Sequence, residues 1–340
     1  MSTMRVFQVQ DAWSDDNVKL AERPQPQAGP GQVRLHMLVA ALNYRDLLVP
    51  RKGYGARMKA LPLVMLSDGV GVIDQVGAGV DPARIGERVC PLFFQSWQDG
   101  EPSEEHLARS LGSETDGTMA DWMVLPEAGV APAPTHLDDV EAATLPTAGV
   151  TAWRALVTEA HVRAGDTVLV QGTGGVSLFA LQFAKLHGAR VICTSSSDEK
   201  LARARELGAD ETINYRTTPE WGRFARQLAD GRGVDHVVEV GGQGSLAQSL
   251  RAVRPGGSIS MIGVLGGPTM DAALGLVVTR HVRLQGITVG SAEDFAAMSR
   301  AITGSGMRPV VDRVFAFEEL REAMAHLAAG RHFGKVCLHF

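Results

Sequence analysis

The stretch Asp166-Thr-Val-Leu-Val-Gln-Gly-Thr-Gly-Gly-Val-Ser177 constrains the fold of this chain more than any other. A short β-branched strand, 167–171, runs straight into glycines and then into an apolar segment, 178–187, with helical spacing. Strand, tight turn and helix in that order aim backbone N–H groups at one point. There the helix N-terminus carries roughly half a positive charge, a ready site for a pyrophosphate. Gly172 allows the sharp turn and Gly174 lets a phosphate approach the backbone. The third glycine of such a fingerprint is replaced by Ser177, so the helix is expected to pack a little less closely. The spacing predicts a dinucleotide ligand.

The surroundings agree. Predicted strands at 167–171, 190–194, 212–214, 234–240, 258–263 and 282–289 alternate with predicted helices at 178–187, 198–207, 219–229 and 245–252. That alternation is the pattern of a parallel, doubly wound α/β sheet. Residues 1–92 read differently: strands at 4–9, 30–39, 69–76 and 88–94, each bounded by Gly, Pro or Asp, imply a small barrel or sandwich. Asp68-Gly-Val-Gly-Val-Ile-Asp-Gln-Val-Gly77 imitates a second nucleotide loop. Its alternation continues past the glycines, so it is read as a bent barrel strand. The polar, acidic stretch 96–116 reads as a solvated insertion, part helical, with Ser103 as N-cap; a lid over the substrate is the alternative. A strand at 117–125 and helical segments at 137–143 and 150–160 follow, with Trp153 and Leu156 facing inward. Helices at 292–303 and 317–329 and a strand at 334–340 close the chain, the last strand returning to the first domain. A length of 340 residues fits two domains.

Composition excludes several classes. A net charge of −5 with no Lys/Arg run argues against nucleic acid and anionic membrane as partners. The three cysteines lie far apart, so neither a disulfide framework nor a cysteine zinc site is indicated. No apolar run approaches the roughly 18 residues of a membrane helix, and residues 1–10 lack a signal-peptide core. A cytoplasmic location is the expectation.

The second strand of the sheet indicates which nicotinamide dinucleotide is expected. In NAD-binding sheets an acidic residue about 20 positions past the first glycine grips the ribose 2′-hydroxyl. Here the strand ends Cys193-Thr-Ser-Ser-Ser-Asp-Glu-Lys200, with no acid at that place. A carboxylate beside a 2′-phosphate would cost on the order of 4 kcal/mol at ~4 Å. Its absence, with the hydroxyls of Ser195 and Ser196 and the cation of Lys200 nearby, favours NADPH over NADH. Ser196 and Glu199 also fit a capping box for the following helix.

With these features in view, the chain resembles the medium-chain dehydrogenase/reductase superfamily, in particular its zinc-free, quinone oxidoreductase-like branch. The resemblance spans essentially the whole chain. It is carried by Asn43-Tyr-Arg-Asp46, Asp68-Gly-Val-Gly71, Gly86-Glu-Arg-Val89, Gly117-Thr-Met-Ala120, the run 142–152, Gly172-Thr-Gly-Gly-Val176 and Gly208-Ala-Asp210, in that order. It implies a Rossmann doubly wound parallel sheet, 126–289, with a GroES-like β-barrel catalytic domain from 1–125 and 290–340 and an active site in the cleft between them. Zinc-dependent relatives hold their catalytic metal at positions matching Asn43, Ser67 and Thr147. None of these is a thiolate or imidazole, and 96–116 lacks the four cysteines of a structural zinc lobe. No metal is therefore expected, and the ten histidines show no ligand spacing.

The resemblance also distributes roles. Gly172, Thr173, Gly174, Gly175 and Val176 would hold the pyrophosphate, and Lys200 and Tyr215 would contact the 2′-phosphate. Val240, Gly241, Ile262, Val264 and Leu265 would line the adenosine and carboxamide side. Asn43, Thr147 and Thr151 would lie near the nicotinamide. Tyr54, Phe93 and Trp97 are candidates for the substrate wall, with Arg45 or Tyr54 as oxyanion partner. Without a metal to polarise a ketone, the favoured chemistry is hydride transfer from NADPH to a quinone or an α,β-unsaturated carbonyl. A metal-free alcohol dehydrogenase or aldehyde reductase, an enoyl-thioester reductase, and a non-catalytic NADPH-binding protein are the alternatives. A homodimer through the strand near 281–289 is expected by analogy.

Overall fold

The structure is a computed structural model and describes residues 2–263, 269 and 273–340. The chain forms two compact units, Met1–Val150 with Gly290–Phe340, and Thr151–Val289.

The first unit is built on β-strands, with helices at Asp139–Ala142, Ala292–Ser305 and Leu320–Ala328. Its strands are β1 (Thr3–Val9), β2 (Val18–Pro24), β3 (Gln32–Leu42), β4 (Leu63–Val64), β5 (Asp68–Val76), β6 (Arg88–Pro91), β7 (Trp122–Pro126) and β8 (Val130–Pro132). The second unit contributes β9 (Thr167–Gln171), β10 (Arg190–Ser195), β11 (Glu211–Asn214), β12 (Val234–Glu239), β13 (Val253–Met261) and β14 (Arg283–Gly286). The chain then returns to the first unit with β15 (Val311–Ala316) and β16 (Lys335–His339).

In the first unit β2, β1 and β4 form one sheet, and β15, β16, β3, β5, β6 and β8 run in order through a second, with β7 also paired to β3. The long β3 organises this sheet. It takes β16, β5 and β7 as antiparallel partners at different points along its length. Glycines let β5 lie close to it: a Cβ on Gly71 would stand 2.6 Å from the His36 carbonyl oxygen, and one on Gly69 2.7 Å from Met37. The glycines of 68–77 thus serve strand packing, as the alternation implied. Two apolar clusters fill the unit. One joins Phe7, Leu42, Met65 and Leu66 to Phe317 and Leu320, and the other joins Leu35, Met37, Ile73 and Val89 to Leu111.

The second unit is a six-stranded parallel sheet in the order β11-β10-β9-β12-β13-β14. With β9 as the first strand this is the doubly wound order, which places ligands at the carboxyl ends of the strands. Leu169, Ile192, Val237 and Ile259 form its core with Trp221 and Leu250. Helices at Gly175–Leu186, Asp198–Glu206, Trp221–Leu228 and Leu246–Ala252 make the crossovers.

Several expectations need correction. The stretch 126–150, assigned from sequence to the second domain, packs with the first unit: β8 pairs with β6, and Asp139–Ala142 lies on β3 and β5. The insertion 96–116 is not simply solvated. Residues 101–105 are exposed, but Ser110, Leu111 and Ser113 are buried. Ser103 does cap, accepting from the His106 N–H at 3.1 Å, yet only a turn follows instead of a helix. The strands β2, β4, β8 and β15 were not expected. They are short or carry charges at alternate positions, which hides them from a periodicity reading.

Candidate active site

The carboxyl ends of β9, β10, β12 and β13 gather most of the expected cofactor residues. Gly172 leaves β9 with φ +74°, and its N–H bonds the Thr194 carbonyl oxygen at 2.7 Å. Gly174 stands at the N-cap of Gly175–Leu186, where no side chain caps the helix. First-turn N–H groups have no intrahelical acceptor, so Gly175 and Val176 offer a phosphate its donors. Thr173 is buried beside them. Ser177, in place of the third glycine, donates its hydroxyl to the Gln171 carbonyl oxygen at 2.7 Å, which satisfies it without loosening the turn.

At the end of β10, Ser195 is buried and its Oγ accepts from the Ser197 N–H at 3.3 Å. The Tyr215 N–H in turn donates to the Ser195 carbonyl oxygen at 3.1 Å, which sets the exposed Tyr215 at this strand end. The helix cap is Ser197, whose Oγ accepts from the Lys200 N–H at 3.4 Å. The cap expected at Ser196 is thus displaced by one residue, which leaves the Ser196 hydroxyl outside the cap. Asp198 is held by the Asn214 amide at 2.7 Å.

Glu239, which the sequence did not single out, organises the next turn. It is wholly buried and accepts from Gln171 Nε2 at 2.7 Å and from the Gly241 and Gly242 N–H groups at 2.9 and 3.0 Å, and also from Ser245 and Ser249. This carboxylate shapes the backbone of Val240 and Gly241. A Cβ on Gly241 would collide with Ser245 Oγ at 2.3 Å. The Ile262 N–H bonds the Glu239 carbonyl oxygen at 2.9 Å, which places Ile262 at the same sheet edge. Val264 and Leu265 lie outside the described residues.

In the first unit Asn43 follows β3 directly. Its N–H donates to Asp46 Oδ2 at 2.7 Å, so Asp46 caps the turn, while the Asn43 side chain is used elsewhere. Asn43 Nδ2 donates to Asp68 Oδ2 at 2.9 Å, and Asn43 Oδ1 accepts from Lys335 Nζ at 2.6 Å. Asp46 and Asp68 are fully buried, and burial raises the Asp46 carboxyl to about 6 despite Arg45 beside it. Ser67 Oγ and Asp68 Oδ1 are buried and make no hydrogen bond within the protein.

Arg45 lies between the rings of Tyr54 and Phe93, its Cζ 5.2 and 4.9 Å from their centroids. It donates to the Leu111 carbonyl oxygen at 3.1 Å and to Ser113 Oγ at 3.0 Å, tying 110–113 to the Asn43 turn. Its Nη groups are therefore anchors, and Tyr54 is the more accessible of the two oxyanion candidates. Burial raises the Tyr54 hydroxyl above its ordinary value, keeping it a protonated donor. Phe93 and Trp97 belong to the core and not to a substrate wall. Trp97 is 2% exposed, with its indole N–H on the carbonyls of Asp99 and Gly100. Thr147 lies in a π-helical stretch, Leu145–Gly149, and Thr151 in the helical turn after it; both are buried.

Lys335, which the sequence did not single out either, joins this cluster through Asn43 and Asp68. The available signal was a lone lysine opening a strand and followed by the apolar run Val336, Cys337 and Leu338.

The zinc positions implied by the resemblance fail a donor test. Asn43 Oδ1 is already held by an ammonium, and Ser67 and Thr147 offer hydroxyls, which is not a zinc-binding set. Among the described residues no group of three or more His, Cys, Asp or Glu could hold a metal ion. Nor is any helix among them long and apolar enough to cross a membrane.

A two-unit protein with a dinucleotide turn on a doubly wound sheet and a β-rich partner unit is the architecture of a nicotinamide-dependent dehydrogenase. Residues 29–135 match the alcohol dehydrogenase GroES-like domain family and 175–304 the zinc-binding dehydrogenase family. The latter match contains none of Asn43, Ser67 and Thr147. A zinc-type alcohol dehydrogenase-like protein of Schizosaccharomyces pombe is 42% identical over 95% of both chains. An acryloyl-coenzyme A reductase of Sulfurisphaera tokodaii is 27% identical, covering 94% of this chain and 95% of its own. A crystal structure of an NAD-dependent alcohol dehydrogenase superposes with a TM-score of 0.89 at 35% identity, covering 99% of this chain and 100% of the other. The chain belongs to the medium-chain dehydrogenase/reductase superfamily and is an NAD(P)-dependent oxidoreductase of alcohol dehydrogenase-like type.

Proposed function

We propose that the chain is a zinc-independent, NADPH-dependent reductase of the quinone oxidoreductase-like branch, acting on a quinone or an α,β-unsaturated carbonyl. The observation that carries this reading is the state of Asn43: its amide oxygen faces the Lys335 ammonium, where a metal ion would be repelled. The bound nicotinamide would supply a hydride from C4. The chain's part is to hold the cofactor and to stabilise the oxygen that gains charge.

Gly172–Val176 bind the pyrophosphate through the helix N-terminus. Ser195, Ser196, Lys200 and Tyr215 surround the place of a 2′-phosphate; β10 itself ends at Ser195 without an acid, and the nearby Asp198 carboxylate accepts from the Asn214 amide. NADH, lacking that phosphate, binds more weakly. Asn43 keeps one Nδ2 hydrogen beyond its bond to Asp68, and this N–H donates to the acceptor oxygen, with the Tyr54 hydroxyl as second donor. Preorganised donors of this kind act where charge develops and need no metal. Thr147 and Thr151 contact the nicotinamide side.

The acryloyl-coenzyme A reductase among the relatives favours a second reading, a conjugated thioester as acceptor. Turnover with NADPH and NADH across quinones, enones, aldehydes, simple alcohols and conjugated thioesters separates the two. The proposal expects NADPH-preferring reduction of quinones or enones. Activity confined to thioesters selects the second reading, and activity on simple alcohols with NADP refutes both. Asn43→Ala is expected to lower kcat about 100-fold with little change in NADPH affinity.

Two further assignments belong to this reading. A second copy pairs at β14, the edge strand of this sheet among the described residues, where Leu274, Val278 and Leu284 are exposed; sedimentation should show a dimer that Leu284→Lys weakens. A cytoplasmic setting suits three free, buried cysteines, two of which, Cys193 and Cys337, burial pushes up to about 12.

A further inference from the structure

Lys335 opens β16 and is only 3% exposed. The register sets Val336 opposite Leu42, so Lys335 comes level with the turn that leaves β3 at Asn43. Three acceptors surround its ammonium: the Leu42 carbonyl oxygen at 2.7 Å, Asn43 Oδ1 at 2.6 Å and Asp68 Oδ2 at 3.1 Å. The same Asp68 oxygen takes Asn43 Nδ2 at 2.9 Å, which closes a ring of three contacts. An ammonium only donates and an ionised carboxylate only accepts, so the ring admits a single orientation of the Asn43 amide. The amide oxygen must face Lys335, and one of the two Nδ2 hydrogens must face Asp68.

We propose that Lys335 is a positioning residue for hydride transfer: it clamps the Asn43 amide so that the second Nδ2 hydrogen is presented, fixed and polarised, to the acceptor oxygen. This rests on the role given to Asn43 above. The clamp matters because the amide has two faces of opposite sign. Turned over, it would present lone pairs to an oxygen gaining negative charge. A donor held in place in advance needs no reorganisation as the charge develops. A lysine that merely neutralised Asp68 would affect stability and leave the amide alone, and this difference makes the proposal testable.

The chain contains three asparagines, Asn17, Asn43 and Asn214. Selective ¹⁵N-asparagine labelling of the full chain therefore gives three side-chain amide pairs in an NMR spectrum, with Asn43 assigned through Asn43→Ala. Without any ligand, Lys335→Met should shift the Asn43 pair and speed its solvent exchange about tenfold or more, leaving Asn17 and Asn214 unchanged. Because that variant strands the Asp68 charge, Lys335→Met/Asp68→Asn provides a neutral counterpart; since Asp68 also holds Asn43 Nδ2, it is read against Asp68→Asn alone, and the same change is expected between those two. In turnover Lys335→Met and the double variant should lower kcat about tenfold or more at nearly constant KM for NADPH, with Lys335→Arg restoring part of the loss. An Asn43 pair unmoved between Asp68→Asn and the double variant overturns the clamp, as does an unchanged kcat in folded Lys335→Met. If the wild-type chain turns over no acceptor while Asn43 responds as expected, the clamp stands and the reaction assigned above falls.

Discussion

In the Thr151–Val289 unit the cofactor end of the sheet is made mostly of backbone: Gly172 turning at positive φ, an uncapped helix start at Gly174, and N–H groups folded around Glu239. In the first unit the Asn43 turn is made of side chains brought from three distant stretches, Asn43 and Asp46 after β3, Asp68 at the start of β5 and Lys335 at the start of β16. A backbone site depends on residues that permit a shape, and most of its neighbours can vary. A side-chain site of buried charges depends on every partner at once, since removing one leaves the others desolvated and unpaired.

Mutations that expose or narrow that difference can be ranked by expected size. Asp68→Ala, which strands the Lys335 ammonium in the first unit, should cost about 3–5 kcal/mol, read from denaturant unfolding; a loss below about 1 kcal/mol would mean the cluster is not the interdependent site described. Asp46 gives a pH test of the same cluster. Its carboxyl is raised from 3.8 to about 6 by burial, so between those values the folded chain keeps a proton that the unfolded chain has released. Stability should therefore fall as pH rises through that window, by an amount on the order of 1–3 kcal/mol, and level off above it. Asp46→Asn, beside Arg45, Asp68 and Lys335, should flatten this slope; an unchanged slope would assign it to another group.

The backbone-built side should respond more gently and more selectively. Lys200→Ala is expected to weaken NADPH about tenfold more than NADH in a binding titration, and equal losses would remove Lys200 from the 2′-phosphate site. Ser197→Ala, which deletes only the helix cap, should cost about 0.5–1 kcal/mol in unfolding. A matching loss from Ser196→Ala would reinstate the cap at Ser196.

The same contrast explains what could be read in advance. The doubly wound sheet was legible because strand and helix periods differ and glycines mark each turn, so β9 to β14 were found within a few residues. The glycine turn and the strand end at Ser195 could be located because local spacing encodes them, whereas Tyr215 was named only through the resemblance; their roles toward a cofactor belong to the proposal. The Asn43 turn was placed by motif, but its partners were not found. Nothing local to Asp68 or Lys335 says that they meet, since their contact depends on the register of β16 on β3 and of β3 on β5. Trp97 was misjudged for the opposite reason: a tryptophan in a polar stretch looks accessible, yet the chain folds it inward against Phe94 and His106. Glu239 was hidden because a carboxylate ending a strand usually faces solvent, whereas here five donors surround it.

The most direct test of the central claim is NADPH turnover with a quinone or enone, measured beside metal content before and after exhaustive chelation. The account predicts substoichiometric zinc and an unchanged kcat after chelation. One zinc per chain, with activity lost on chelation and restored by zinc, would contradict it.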